Sequence, residues 1–191
     1  EPGWHTASYP CTYAWSEKFP DPQKFVERVH ALGARVNLWE HPYVHPRSEI
    51  YNAILPYSIN GSELYPRAGF ADGSARYGFG GLIPDFTQST AREIYWSIHD
   101  KNLASIGVDG YKIDETDSWS GPNDASVVWP SGMTSNQYHN LLGTLTSNLI
   151  HEKYKSEYNQ RTYIFSRGNY TGMQRYATTA YTDYYGFDQF L

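Results

Sequence analysis

The chain has 191 residues, a formal net charge of -5 and one cysteine, Cys11. That length suffices for one ordinary domain but falls short of the roughly 250 residues of a complete (β/α)8 barrel. No basic stripe suits nucleic acid, the lone cysteine excludes an internal disulfide, and no apolar run approaches the roughly 20 residues of a membrane-crossing helix.

Composition offers one lead. Aromatic residues make up 17% of the chain, including 18 Tyr and 6 Trp. Flat faces with polar tips suit sugar rings, but they also fill cores and interfaces.

The first clear unit starts at Phe19. Asp21 can cap a helix opening with Pro22, Phe25, Val26, Val29 and Leu32 recur at helical spacing, and Gly33 is a natural stop. A short strand, residues 34–39, follows. Residues 40–88 are rich in Pro, Gly, Ser and Tyr without helical period, and so long an irregular connection is usually functional. Within it, Gly78-Phe79-Gly80-Gly81 reads as a turn, since it lacks the Lys-Ser/Thr of a phosphate loop.

Ser89 or Thr90 can cap a second helix bearing Ile94, Tyr95, Ile98 and Leu103 and ending near Gly107. The strand 108–114 comes next, then a polar loop over 116–134. A third helix carries Leu141, Leu142, Leu145 and Leu149, and strands are expected at 161–166 and 177–182. Strands alternating with helices predict neighbouring parallel βαβ units.

In such folds chemistry collects at the carboxyl ends of strands. That rule singles out Trp39-Glu40-His41, Asp114-Glu115, Ser166-Arg167 and Thr182-Asp183. Retaining hydrolysis of a glycosidic bond takes two carboxyl groups about 5–5.5 Å apart, one to attack and one to exchange protons. Asp114 and Asp183 fit those roles, with Asp117 and Asp188 as competitors further from their strand ends. Lys112 lies two residues before Asp114 and shares its face of the strand, where a cation keeps the carboxylate ionised. Arg167 can do likewise through its planar fork. A purely structural ion-pair network accounts equally well for these charges.

His41 and His45 are four apart, but each precedes a proline, which disfavours the helix that would make them converge on a metal. Neither a metal site nor a cofactor is expected.

Several ordered motifs resemble glycoside hydrolase family 31. They are Phe19-Pro20-Asp21-Pro22 followed by Gly33 to Trp39, Pro84-Asp85-Phe86-Thr87, Gly107 to Asp114, Phe165-Ser166-Arg167, and Arg175-Tyr176 with Asp183 seven residues beyond the tyrosine. The resemblance implies an α/β fold, part of a (β/α)8 TIM barrel covering roughly strands three to six with their helices. Residues 1–191 would be the central part of one catalytic barrel domain, completed by the remaining parts of a parent enzyme. It also implies that Asp114 forms a glycosyl-enzyme, that Asp183 is the acid/base, and that Trp39, Lys112 and Arg167 line the pocket of the terminal sugar. His41, Glu115 and Tyr181 join them as candidate substrate-binding residues.

Two departures stand out: Ala180-Tyr181-Thr182-Asp183 replaces the family's W-x-G-D, and Glu115-Thr116-Asp117 follows the nucleophile position. These variants are more similar to an α-galactosidase and α-N-acetylgalactosaminidase branch than to α-glucosidases. The implied activity is retaining, exo-acting hydrolysis of an oligosaccharide or glycoconjugate, with no nucleic-acid or membrane partner. The alternative is a non-catalytic carbohydrate-binding remnant of the same barrel.

Overall fold

The computed structural model describes residues 2–63, 77–117, 126–168 and 170–179. The helix expected after Asp21 is α1, Pro22–Ala31, and the Asp21 carboxylate accepts from the Lys24 backbone N–H at 3.0 Å. Gly33 follows with φ +76°. Val26 is the residue α1 buries, whereas Leu32, counted above with the apolar face, is 85% exposed. The helix has ended one residue earlier, and Leu32 leaves its register.

Strand β1, Asn37–Glu40, leads into the long connection. This connection is less irregular than its composition suggests. It holds a turn of helix, α2, Tyr51–Ile54, and two short strands, β2, Ser58–Asn60, and β3, Leu82–Pro84, paired antiparallel. Three-residue strands are too short to show a period, and their partners are over 20 residues apart.

Helix α3, Ser89–Asn102, begins at the expected place but without the expected cap. Gln88 occupies the N-cap position and makes no side-chain cap bond. The polar knot before the helix is instead built by buried Asp85, which accepts from Thr87 Oγ1, the Ser131 backbone N–H and Gln88 Nε2. A short 3-10 turn, Ala104–Ile106, then closes on left-handed Gly107, the predicted stop.

Strand β4, Gly110–Ile113, is followed by a short helix α4, Ser135–Tyr138, and by α5, Leu142–Tyr158. Strand β5, Tyr163–Ser166, and the short β6, Thr178–Thr179, complete the described elements.

The four predicted strands form one parallel sheet in the order β1-β4-β5-β6. Its alternation sorts side chains into two sets. Leu38, Tyr111, Ile113 and Ile164 are buried in the core beneath α3 and α5. There Tyr111 Oη meets Tyr154 Oη at 2.7 Å, and Tyr154 Oη donates to the Val108 carbonyl at 2.8 Å. The opposite face carries Asn37, Trp39, Lys112 and Phe165, of which the register sets the last three side by side across the strands. This is the parallel α/β arrangement that the alternating pattern predicts, and it is the arc of a (β/α)8 barrel that the family resemblance implies.

Glu40 faces the helices and is fully buried against His99 of α3, with its carboxylate oxygens 2.8 and 3.0 Å from Nε2. The pair ties the end of β1 to α3.

Candidate active site

Parallel pairing brings the ends of β1, β4 and β5 level. Trp39 pairs with Lys112, Lys112 with Phe165, and the Asp114 backbone N–H continues the ladder by donating to the Glu40 carbonyl at 2.8 Å. On the next strand the Arg167 backbone N–H donates to the Ile113 carbonyl at 3.1 Å. Asp114 and Arg167 therefore leave neighbouring strands at the same height.

Asp114 is 4% exposed and receives four donors. Trp39 Nε1 and Lys112 Nζ reach Oδ2 at 2.7 and 3.0 Å, while Arg167 Nη1 and the Glu115 backbone N–H reach Oδ1 at 3.2 and 3.0 Å. Burial alone would raise the carboxyl's pKa. The Trp39 indole and the Lys112 and Arg167 cations outweigh it and hold the group below the usual carboxylate range. Asp114 is thus a buried, ionised, oriented carboxylate, the state a nucleophile requires.

Arg167 spreads its guanidinium over three carboxylates. Nη1 reaches Asp114, Nη2 reaches Glu115 Oε2 at 2.8 Å, and Nε reaches Asp117 Oδ2 at 3.0 Å. Burial would lower its pKa, but these three carboxylates raise it, so the charge is permanent. Glu115 adopts a left-handed backbone, φ +55°, and the Tyr43 hydroxyl donates to its carbonyl.

His41 occupies a different position from the other candidates. It is fully buried, stacked on Phe79 with ring centroids 5.2 Å apart, and edge-on to Trp39 at 5.2 Å. Burial pushes its pKa down to about 3, so the ring is neutral. Nδ1 accepts from the Tyr43 backbone N–H at 3.3 Å, and Nε2 lies 3.8 Å from Cys11 Sγ. His41 supports Trp39 from behind. His45 is engaged locally, its Nδ1 accepting from the Arg47 backbone N–H at 2.9 Å.

The structure therefore gathers Trp39, Lys112, Asp114, Glu115 and Arg167, and places His41 in the layer behind them. Asp183 and Tyr181 lie outside the described residues, as does the competitor Asp188. Asp117 joins the cluster through Arg167, which its spacing from the strand did not reveal. Tyr43 was not anticipated, because no local pattern announces a bond to a carbonyl 72 residues away.

Two cavities of about 630 and 620 Å3 open around Arg161 and Tyr163, at the start of β5. They lie at the amino ends of the strands, away from Asp114 and from the end where barrel chemistry is found.

Comparison with known proteins agrees with this geometry. A model of the "Glycosyl hydrolases family 31 TIM-barrel domain" matches residues 3–186. An α-xylosidase of Emericella nidulans is 24% identical over 180 residues, covering 86% of this chain and 21% of the relative. An α-xylosidase of Lactiplantibacillus pentosus is 30% identical over 105 residues, covering 54% of this chain and 13% of the relative.

Among solved structures, the family 31 α-xylosidase of Xanthomonas citri superposes with a TM-score of 0.71 at 19% identity, covering 88% of this chain and 19% of that one. The chain thus spans about a fifth of the length of the first of these relatives in each comparison. The relatives named here are α-xylosidases, and they lend no support to the α-galactosidase and α-N-acetylgalactosaminidase branch. With the family match running through nearly all of its length, this chain belongs to the TIM-barrel domain family of the family 31 glycosyl hydrolases.

Proposed function

We propose that this chain carries the catalytic centre of a retaining, exo-acting α-glycosidase in which Asp114 attacks the anomeric carbon and Asp183 is the acid/base. The observation that carries the reading is the setting of Asp114. Its carboxylate is buried yet kept ionised and aimed by Trp39, Lys112 and Arg167. In this reading attack by an Asp114 oxygen expels the leaving group, whose oxygen takes the Asp183 proton, and leaves a glycosyl-aspartate ester. Asp183 then deprotonates the water that cleaves the ester, with net retention.

Beyond their bonds to carboxylates among the described residues, Lys112 and Arg167 have further N–H groups of a kind that suits sugar hydroxyls, while Glu115 holds Arg167 in place. The substrate is an oligosaccharide or glycoconjugate with an α-linked terminal sugar. The motif variants argue for galactose or N-acetylgalactosamine, whereas kinship with α-xylosidases argues for xylose or glucose. Activity against all four nitrophenyl α-glycosides separates these readings.

Azide rescue tests the division of labour. Asp114→Asn should abolish turnover on ordinary substrates, and added azide, attacking an activated α-glycoside directly, should give the β-glycosyl azide. Asp183→Asn should keep its glycosylation step on activated aryl or fluoride glycosides, and azide attacking its ester should give the α-glycosyl azide. The same azide anomer from both variants, or full activity in Asp114→Asn, defeats the assignment.

The rival, a structural ion-pair network in a carbohydrate-binding remnant, has the three-way sharing of Arg167 in its favour. It predicts sugar binding without turnover by the wild-type protein.

A further inference from the structure

Glu115 is held in a conformation that a non-glycine residue takes only at a cost. Its backbone is left-handed, φ +55°, where the Cβ crowds the carbonyl that follows it. Three contacts secure it. Its N–H donates to Asp114 Oδ1 at 3.0 Å, its carboxylate meets Arg167 Nη2 at 2.8 Å, and its carbonyl accepts from the Tyr43 hydroxyl. The first two belong to the charged cluster itself. The third comes from the connection that follows β1.

Tyr43 is well placed to keep that bond still. The side chain is fully buried. Its backbone N–H donates to His41 Nδ1 at 3.3 Å, and its carbonyl accepts from the Cys11 N–H at 2.9 Å and from Tyr13 Oη at 3.3 Å. His41 and Phe79 flank the ring, with centroids 4.9 and 6.0 Å away. Gly78 closes the packing, because a Cβ there would lie 3.2 Å from Cγ and Cδ1 of that ring. A backbone anchored on both sides and an enclosed ring leave the hydroxyl little room to move. A phenylalanine would fill nearly the same space, so what the hydroxyl adds is polar, and its bond to Glu115 ends on the residue that serves Asp114.

Resting on the glycosidase reading above, we propose that Tyr43 is a positioning residue for the nucleophile: its hydroxyl holds Glu115 left-handed, so that one residue presents an N–H to Asp114 and a carboxylate to Arg167. Rotation of Glu115 out of that conformation moves both groups together, since they leave the same Cα. Asp114 then loses one donor outright and the aim of a second, Arg167 Nη1, which reaches Oδ1 at 3.2 Å. A shift of about 1 Å at a reacting group can cost roughly a hundredfold in rate.

The test compares Tyr43→Phe with Tyr154→Phe in the protein expressed from its complete reading frame. Tyr154 is the control because its buried hydroxyl also donates to a backbone carbonyl, that of Val108 just before β4, at the far end of the strand from Asp114. Aryl release from the nitrophenyl α-glycoside that the wild type cleaves fastest is followed in single turnovers at saturating enzyme, which read the attack of Asp114 itself. In Tyr43→Phe its rate constant should fall about tenfold, with half-saturation within about threefold of wild type. Weaker support for the carboxylate raises its pKa, so the acid limb should move to higher pH. Lys112, Arg167 and Glu115 are the charged groups facing Asp114 among the described residues, and none is substituted, so that movement reads their placement. Tyr154→Phe should stay within about twofold in rate whatever it costs in stability. Equal rate losses in the two variants overturn the proposal, as does a change in half-saturation alone.

Hydrogen exchange supplies a readout that needs no turnover. Peptides spanning 114–117 should exchange about tenfold faster in Tyr43→Phe than in the wild type, and at the wild-type rate in Tyr154→Phe. A segment that stays protected in Tyr43→Phe overturns the proposal even where the rate has fallen. If Tyr43→Phe does not fold, the wild type carries the test by NMR, where a slowly exchanging Tyr43 hydroxyl proton close to residue 115 is expected and its absence overturns the proposal. A wild type that hydrolyses nothing, with exchange that still responds to Tyr43→Phe, sinks the glycosidase reading and leaves the anchoring of Glu115 standing. An active wild type that Tyr43→Phe matches in rate sinks the positioning role alone.

Discussion

Trp39 and Asp114 stand on adjacent parallel strands, and the indole N–H of the first donates to Oδ2 of the second at 2.7 Å. The register of β1 on β4 produces this contact, since Trp39 lies beside Lys112 and Asp114 is one pleat further on the same face. The bond is charge-assisted and buried, so it both aims the carboxylate and favours its ionised form. Trp39→Phe keeps an aromatic, though smaller, ring and removes the N–H, a loss of about 1.5–3 kcal/mol for a hydrogen bond to a charged group. On the proposed mechanism kcat/KM should fall roughly ten- to a hundredfold and the acid limb of its pH profile should move to higher pH. An acid limb that stays in place would show that Trp39 does not tune Asp114.

Asp114 should also leave a signature in stability. Its folded-state pKa is depressed below the unfolded value, so it contributes stability that is present above about pH 4 and lost as pH falls through the folded pKa. Asp114→Asn lacks that titration. Chemical denaturation from neutral to acid pH should find the wild type losing its advantage over the variant as the pH drops. A gap that is constant with pH would contradict the depressed pKa.

The buried pair of Glu40 and His99 calls for a different measurement. Both side chains are inaccessible to solvent and meet at 2.8 Å, and removing one leaves the other as an uncompensated polar group in the core. His99→Ala should destabilise the fold by about 3–5 kcal/mol. A change below about 1 kcal/mol, the level of a surface ion pair, would mean that water enters to replace the imidazole.

Gly143 lies in the first turn of α5, where a glycine costs about 1 kcal/mol relative to alanine. Its reason is a close approach. A Cβ there would lie 2.0 Å from the Gly168 carbonyl oxygen and 2.8 Å from Thr116 Oγ1, and Thr116 Oγ1 accepts from the Gly168 backbone N–H at 3.0 Å. Gly168 follows Arg167, and Thr116 follows Glu115. Gly143→Ala should therefore destabilise by about 1–3 kcal/mol, despite its better helix propensity, and should lower activity through the displaced site loops. A stabilised, fully active variant would refute the contact.

Much of this architecture was legible along the chain because its signals are local. Asp21, Pro22 and Gly33 bracket α1 through backbone chemistry confined to a few residues. The alternation of helices and strands announced a parallel sheet. The two-residue spacing of Lys112 and Asp114 placed both on one face, and the ordered motifs pointed to the family that the comparison establishes. The strands β2 and β3 were not legible, since each is three residues long and stabilised by a partner more than 20 residues away. Leu32 misled for a related reason, as helical spacing says nothing about the residue at which the helix stops.

The sequence by itself determined which residues could be strands, helices and charged strand ends, because backbone preference and side-chain period act over one to four residues. Only the tertiary structure decided which of those ends meet. Asp114 gains its four donors from three strand ends, Glu40 turns away from Trp39 to bury itself against His99, and Tyr9 arrives beside Trp39 from a segment with no periodic signal. Apart from the donors Lys112 and Glu115, which lie beside Asp114 in the sequence, these contacts join residues 30 to 75 positions apart. They depend on register and on which elements are packed against one another, so no local pattern encodes them.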